Sequence, residues 1–144
     1  MTVLLTVKDL KTYFHTAKGI IPAVDGVDFS VSQGETLGLV GESGCGKSVT
    51  ALSIMGLVPS PPGEIRGQIL FDNQDVLSLS EREMRRLRGN EMAMIFQEPM
   101  SALNPVLTIG DQIGEAIRLH QDIKDRDVEE RTIDMLQLVG IPMP

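Results

Sequence analysis

The stretch that decides the fold is the octapeptide Gly41-Glu42-Ser43-Gly44-Cys45-Gly46-Lys47-Ser48. It satisfies the pattern G-x-x-x-x-G-K-[ST], the phosphate-binding loop called Walker A. The glycines permit a tight turn that directs backbone N–H groups inward, and a helix beginning near Lys47 adds its positive end at the same spot. We therefore predict that Lys47 contacts the β- and γ-phosphates of a nucleotide and that the Ser48 hydroxyl binds Mg²⁺.

The sequence on either side of this loop has the context that the motif requires. Residues Glu35 to Val40 are apolar at successive positions, which predicts a strand buried on both faces, and residues 47–57 predict a short helix that ends before Pro59. A glycine-rich turn of purely structural purpose is the alternative, and the flanks and spacing argue against it. A redox role is an alternative for Cys45, but we interpret it as a small residue at a variable position of the loop.

The remaining sequence alternates strand and helix signals. Strands are predicted over Val3 to Leu10, Ala23 to Val31, Arg66 to Phe71 and, as a second buried strand, Glu91 to Phe96. Ser80 and Glu83 form a capping box that opens a short basic helix. Two amphipathic helices begin near Thr108 and Asp125, with apolar stripes at Ile109, Ile113, Ala116 and Ile117 and at Val128, Thr132, Met135, Leu136 and Val139.

Composition narrows the class of protein. The chain has 144 residues, a net charge of −7 and an isoelectric point of about 4.7, which argues against binding to nucleic acid or to an anionic membrane surface. No apolar run is long enough for direct membrane insertion. The single cysteine excludes an internal disulfide and suits a reducing compartment. These properties predict a cytoplasmic protein.

Gln97 is the second candidate site residue, because it follows the second predicted buried strand. Ligands bind at the carboxyl ends of such strands, so we expect Gln97 and the loop from Gly41 to face one crevice. Its amide oxygen could bind Mg²⁺ or hold an attacking water, and an ordinary polar loop residue is the alternative. A small GTPase is excluded because the guanine-reading motif N-K-x-D is missing from the sequence.

Several tracts together resemble the ATP-binding subunits of ABC transporters. They are Leu10 to Phe14, Gly26 to Val31, Gly34 to Ser48 and Gly67 to Asp72. The tract Phe96-Gln97-Glu98-Pro99-Met100-Ser101-Ala102-Leu103-Asn104-Pro105 resembles the oligopeptide, dipeptide and nickel importer branch of that family. The resemblance covers essentially the whole chain.

The resemblance implies an α/β fold of the P-loop NTPase type, in the ABC ATPase form. Residues 1–34 and 64–78 would form an antiparallel β subdomain, residues 35–58 and 89–97 part of the parallel P-loop core, and residues 98–144 the start of a helical subdomain. We expect a truncated domain whose apolar strand edges are exposed.

The resemblance also assigns roles at the site. The loop Gly41 to Ser48 would bind ATP with Mg²⁺, and Phe14 would stack on adenine, with Tyr13 as the alternative if the register is shifted by one. Phe14 could instead be a core residue of the first hairpin. Lys47 and Gln97 would take part in catalysis, and Ser48 and Gln97 would bind the metal.

Hydrolysis in this family requires a Walker B aspartate, a following glutamate, an LSGGQ-like signature and a switch histidine, and the sequence contains none of them. We therefore expect ATP binding without hydrolysis by this chain alone. The implied partners are transmembrane permease subunits and a second ATPase subunit, identical or different, at the inner face of the cell membrane. A P-loop ATPase unconnected with transport and a non-catalytic nucleotide-binding module remain alternatives.

Overall fold

Four strands and four α-helices make up the part of the chain that a computed structural model describes, residues 2–98 and 102–143. In chain order they are β1 (Val3–Thr16), β2 (Gly19–Ser32), α1 (Lys47–Ile54), β3 (Gly63–Phe71), β4 (Gln74–Asp75), a 3₁₀ turn (Val76–Ser78), α2 (Glu81–Leu87), α3 (Ile109–His120) and α4 (Asp125–Leu138). The chain divides into two compact units, Met1–Arg85 and Arg86–Pro144. No helix among the described residues is both long and apolar enough to cross a bilayer.

The first unit is built on one antiparallel sheet with the strand order β2-β1-β3-β4. The predicted antiparallel β subdomain is therefore present, and its strands are longer than the sequence indicated. β1 continues to Thr16 and returns through the two-residue turn Ala17-Lys18, whereas the sequence predicted strands that end at Leu10 and resume at Ala23. The Thr16 hydroxyl closes this turn by donating to the carbonyl of Gly19 over 2.7 Å.

A bulge explains how β1 runs on past Leu10, where the sequence predicted its end. Asp9 has a φ of 46°, and the pairing register shifts there against both neighbouring strands. The Asp9 N–H, which faces no strand partner at a bulge, donates to the Asp28 carboxylate over 3.0 Å. Gly67 on β3 has no Cβ that could collide with the Asp9 carbonyl at this point. The bulge thus lets one strand contribute to the sheet along 14 residues.

The core of the first unit lies on one face of the sheet. Val7, Leu10 and Ile69 are essentially inaccessible to solvent, and they come from the two central strands.

Asp72 and Asn73 both have positive φ and connect β3 to β4, as expected of a two-residue hairpin turn. The capping box predicted at Ser80 is confirmed, because the Ser80 N–H donates to Glu83 and the Glu83 N–H to the Ser80 hydroxyl.

The second unit contains the helix pair α3 and α4, both of which start where the sequence predicted. Thr108 caps α3 by accepting from the N–H of Asp111 over 3.1 Å. The helices approach closely at Gly114, where an added Cβ would lie 3.2 Å from a methyl group of Val128. Of the predicted stripes, Ile117, Val128 and Thr132 are buried. Ile109, Ala116 and Val139 are exposed, because the contact between the helices involves only part of each apolar face.

The two predicted buried strands of the parallel core are not formed. Residues 35–40 have no strand partner, and within 91–96 only Met92 makes an isolated bridge, to Arg88. Val40 is 89% exposed and Ile95 is 97% exposed. A strand exists only through hydrogen bonds to a neighbouring strand, and among the described residues neither segment pairs with a named strand. The exposure of their apolar side chains agrees with the expectation of uncovered edges.

Candidate functional site: a phosphate-binding loop

Glycines shape the loop between residue 41 and helix α1. Gly44 and Gly46 have φ values of 82° and 95°, a region that side chains with a Cβ rarely adopt. At Gly46 a Cβ would also collide with the carbonyl of Ala23 on β2. Gly46 therefore serves two purposes, because it permits the backbone turn and lets the loop lie directly against the sheet.

Helix α1 begins at this loop with an uncapped N-terminus. Gly46 is its N-cap, no side chain accepts from its first N–H groups, and no acidic residue lies in its first turn. The first helical bonds start at Thr50, whose N–H and hydroxyl both donate to the carbonyl of Gly46 over 2.8 and 3.0 Å. The N–H groups before Thr50 have no acceptor within the helix. This helix end therefore offers donors and a partial positive charge to an anion.

The Lys47 side chain folds back over the loop that precedes it. Its ammonium group donates to the carbonyls of Gly41 and Glu42 over 2.7 and 2.6 Å. The Cys45 sulfur lies 3.5 Å from the same nitrogen. A full positive charge is thus held at the centre of the glycine loop, where a phosphate would arrive.

Cys45 occupies the space that a side chain at Gly41 would need. Its sulfur lies where a Cβ on Gly41 would be placed, so Gly41 and Cys45 fit each other in size. Cys45 itself is exposed. Because the sulfur is exposed and lies 3.5 Å from the Lys47 ammonium, we expect modification of this thiol to obstruct phosphate binding at the loop.

The loop encloses a small cavity of about 170 Å³. Its lining residues are Ala23, Gly44, Gly46, Lys47, Ser48 and Val49. Whole drug-sized ligands usually need pockets of roughly 300–1,000 Å³, so this one suits phosphate groups and leaves a base outside. Lys47 and Ser48 both line this cavity, and their contacts with phosphate and Mg²⁺ stay predictions.

The aromatic pair at the end of β1 occupies two different environments. Tyr13 donates to Asp25 over 2.8 Å, a bond that raises the pKa of Tyr13, and the guanidinium of Arg66 lies 5.7 Å from the centre of its ring. Phe14 is half-buried, and its ring edge would lie 3.5 Å from a Cβ on Gly63. Because Tyr13 already has both its hydroxyl and a ring face engaged, Phe14 is the better candidate for contact with a base.

Gln97 belongs to the second unit and is exposed. Its role in binding metal or water stays a prediction. Within the tract that carries the importer resemblance, Pro99, Met100 and Ser101 lie outside the described residues. Among the described residues no group of three or more His, Cys, Asp or Glu side chains could hold a metal by itself.

Sequence reasoning missed three residues that support the site. Ala23 contacts Gly46 through its carbonyl, and Thr12 and Ser53 share a buried hydrogen bond between β1 and α1. Ser53 could have been noticed as a polar residue inside the apolar run Ala51 to Met55. Nothing in the local sequence around Ala23 or Thr12 indicates a long-range contact.

A glycine loop that leads into an uncapped helix and holds a lysine at its centre defines a phosphate-loop protein. The chain belongs to the ABC transporter family, whose family model matches residues 24–143.

Three relatives from Bacillus subtilis (strain 168) match almost the entire chain. The oligopeptide transport ATP-binding protein AppD is 55% identical over 97% of the chain, and the corresponding protein OppD is 50% identical over all of it. The dipeptide transport ATP-binding protein DppD is also 50% identical over the whole chain. The chain spans 43%, 40% and 43% of the lengths of these relatives, respectively.

Solved structures agree on the fold. The ATP-binding cassette MJ0796, in a dimeric post-hydrolysis state bound to ADP and Pi, superposes with a TM-score of 0.80 at 22% identity. The match covers 94% of this chain and 56% of the cassette. The protein cbiO1 from Clostridium perfringens gives a TM-score of 0.68 at 23% identity, over 99% of this chain and 52% of its own. The fold is therefore that of ABC ATPase cassettes, represented in part.

Proposed function

We propose that this chain is the ATP-binding portion of an ABC importer for short peptides, and that it binds Mg-ATP through the loop Gly41 to Ser48. The observation that carries the proposal is the uncapped, acid-free start of α1, next to the ammonium of Lys47. Free helical N–H groups and one full positive charge converge on a cavity of phosphate size. This combination favours a polyphosphate ligand over a neutral one.

Lys47 would exchange its partners when the nucleotide binds. Its two hydrogen bonds to loop carbonyls would be replaced by bonds to phosphate oxygens, which carry more negative charge and accept more strongly. The loop does not have to fold around the ligand, because those same bonds already hold it in shape. Lys47 thus supports both the empty loop and the bound phosphates.

Ser48 is the residue that would hold the metal, and the donors present suit Mg²⁺. Mg²⁺ is usually bound by one or two protein oxygens together with phosphate oxygens and water, without a dedicated cage of carboxylates. Ser48 lines the cavity beside Lys47, and the described residues contain no cluster of three or more acidic, His or Cys side chains that would compete. When bound, the ion would neutralise phosphate charge and orient the phosphates.

The base would lie outside the cavity, against β1. Phe14 is half-buried, so part of its ring is available for stacking. Stacking recognises the face of any base, and selectivity for adenine over guanine should therefore be weak. Gln97 is proposed to contact Mg²⁺ or the attacking water once the nucleotide is bound.

The proposal that the cargo is peptide rests on the names of the relatives. AppD and OppD are oligopeptide transport proteins and DppD is a dipeptide transport protein. We propose that the chain acts with transmembrane permease subunits and a second ATPase subunit at the cytoplasmic face of the membrane. The domain assignment made from the sequence, with residues 98–144 in a helical subdomain, belongs to the same proposal.

Titration calorimetry with Mg-ATP tests nucleotide binding directly. The wild-type chain should bind, and Lys47→Ala should weaken binding by about 10–100-fold, since it removes two charge-assisted bonds to phosphate. Lys18→Ala is the matched control, because Lys18 lies in the exposed β1–β2 turn. Equal binding by wild type and Lys47→Ala would refute the proposed site.

Phosphate release from ATP tests the second part of the proposal. The wild-type chain should release no more phosphate than Lys47→Ala, because it carries no acidic residue placed as a general base after a Walker B strand. Turnover clearly above that control would show that a catalytic group has been overlooked.

A further inference from the structure

A buried pair of hydroxyl groups joins the phosphate-binding helix to the sheet. The side-chain oxygens of Thr12 on β1 and Ser53 on α1 lie 2.8 Å apart. Both residues have 0% exposure, although 41 positions separate them in sequence. A buried polar pair is stable only when both members are bonded, so this contact fixes a specific alignment of helix and strand.

The hydrogen bonds of Ser53 show which hydroxyl of the pair is the donor. The Ser53 hydroxyl donates its single proton to the carbonyl of Val49 over 2.7 Å. Ser53 must then accept from Thr12, whose hydroxyl is the donor. The row of hydrogen bonds therefore runs from the Thr12 hydroxyl through the Ser53 hydroxyl to the Val49 carbonyl, and each bond polarises the next.

The two ends of this row of hydrogen bonds lie at the two parts of the proposed nucleotide site. Val49 lines the phosphate cavity and follows Ser48 directly. Thr12 immediately precedes Tyr13 and Phe14, the two aromatic candidates for contact with the base. The close approach of Gly46 to Ala23 is a second point of attachment between loop and sheet.

We propose that Thr12 and Ser53 are positioning residues that set the location of the phosphate cavity relative to the aromatic end of β1. The inference rests on the proposed function, and it holds whether Phe14 or Tyr13 meets the base. A nucleotide must satisfy both places at once, so its affinity depends on their spacing. A bare polyphosphate occupies only the cavity and does not sense that spacing.

The physical basis is pre-organisation. Binding at two rigidly connected places is strong only when the connection already has the geometry of the bound state. Without the hydrogen bonds, we expect α1 to tilt relative to the sheet about the remaining contact at Gly46, while the hydrogen bonds within the helix stay intact. Phosphate contacts would survive such a shift, and simultaneous contact with the base would be lost.

Calorimetry with two ligands, Mg-ATP and magnesium tripolyphosphate, tests this inference. Thr12→Val should weaken ATP binding by about 10-fold, because α1 and β1 lose the hydrogen bond that sets their alignment. Binding of tripolyphosphate should change by less than about 2-fold, because its contacts with the loop are independent of the Thr12 hydroxyl. Thr12→Ser keeps the hydroxyl and should retain the wild-type ratio of the two affinities.

A double variant separates positioning from stability. Thr12→Val with Ser53→Ala replaces both polar partners by apolar groups and avoids an unsatisfied buried hydroxyl, so it should fold even if a single variant does not. The ratio of ATP affinity to tripolyphosphate affinity should still fall by about 10-fold, because the bonds are gone. A merely structural role predicts that both affinities change together.

The outcomes distinguish the two proposals. If the wild type binds neither ligand, the proposed function fails and the positioning role fails with it. If the wild type binds both and Lys47→Ala loses both, the proposed function stands. An unchanged affinity ratio in the double variant would then overturn the positioning role alone.

Discussion

The antiparallel sheet of the first unit and the segments at residues 35–40 and 91–96 all carry apolar residues, but the two regions differ in how many of those residues are buried. Leu10 and Ile69 are completely buried in the sheet, whereas Val40 and Ile95 are almost completely exposed. Hairpin strands find their partners a few residues away, because the turn itself sets the pairing. Strands of a parallel core need neighbours supplied from elsewhere in the sequence. Apolar composition therefore indicates which residues can be buried, and partners decide which are.

The largest expected effect comes from removing a buried side chain of the sheet. Leu10→Ala should destabilise the first unit by about 2–5 kcal/mol, while Leu39→Ala, at 46% exposure, should change its stability by less than about 0.5 kcal/mol. Urea unfolding followed by tyrosine fluorescence is a specific probe, because Tyr13 on β1 is the only tyrosine of the chain. Equal destabilisation by the two variants would mean that residues 35–40 also pack.

Glycine 46 connects the sheet to the phosphate loop and should show the next largest effect. Gly46→Ala combines a disfavoured φ with a collision at the Ala23 carbonyl, so we expect about 2–4 kcal/mol of destabilisation. Gly44→Ala is the control for backbone strain, because its φ is also positive but nothing lies within 4 Å of the added Cβ. It should lose about 1–2 kcal/mol. The same urea titration measures both, and an equal loss would remove the argument for contact at Ala23.

A charge placed on the exposed segment should alter association and leave folding intact. Val40→Lys is expected to change stability by less than about 0.5 kcal/mol and to reduce self-association, because an exposed, unpaired apolar segment can pair with another molecule. Sedimentation velocity at several concentrations gives the readout. Val7→Lys makes the same change at a buried position and should unfold the first unit. Association that is unaffected by Val40→Lys would point to a different contact surface.

The smallest effect concerns an exposed ion pair on β3. Arg66 and His15 both donate hydrogen bonds to the Glu64 carboxylate. These bonds, with that from Arg66 the larger cause, hold the pKa of Glu64 below its ordinary value of 4.5. Because the pKa of Glu64 is lower in the folded state, its ionised form stabilises the fold at pH values above the ordinary pKa. This stabilisation is lost as the pH falls through the lower pKa of the folded state. Glu64→Gln should therefore lower stability slightly at neutral pH and leave it unchanged at strongly acid pH, so the acid limb of the stability curve becomes flatter. A steeper acid limb in the variant would contradict this assignment.

Local chemistry accounts for most of what the sequence could predict. The glycine pattern around Lys47, the capping box at Ser80 and the helix start at Thr108 each depend on residues within a few positions, and the structure confirms them. The Asp9 bulge and the Thr12–Ser53 bond could not be predicted, because both depend on contacts between distant segments. The parallel strands were predicted wrongly for the same reason, since a continuous apolar run says nothing about the presence of its neighbour.

The self-contained bonding of Lys47 bears on which anions the loop can retain. Any incoming anion must outcompete two peptide carbonyls that already hold the ammonium group at 2.7 and 2.6 Å. The affinity for an anion is thus a difference between two sets of bonds, and a singly charged anion would gain little from the exchange. A chain of phosphates carries more charge, so we expect the resting hydrogen bonds of Lys47 to favour polyphosphates over small, singly charged anions.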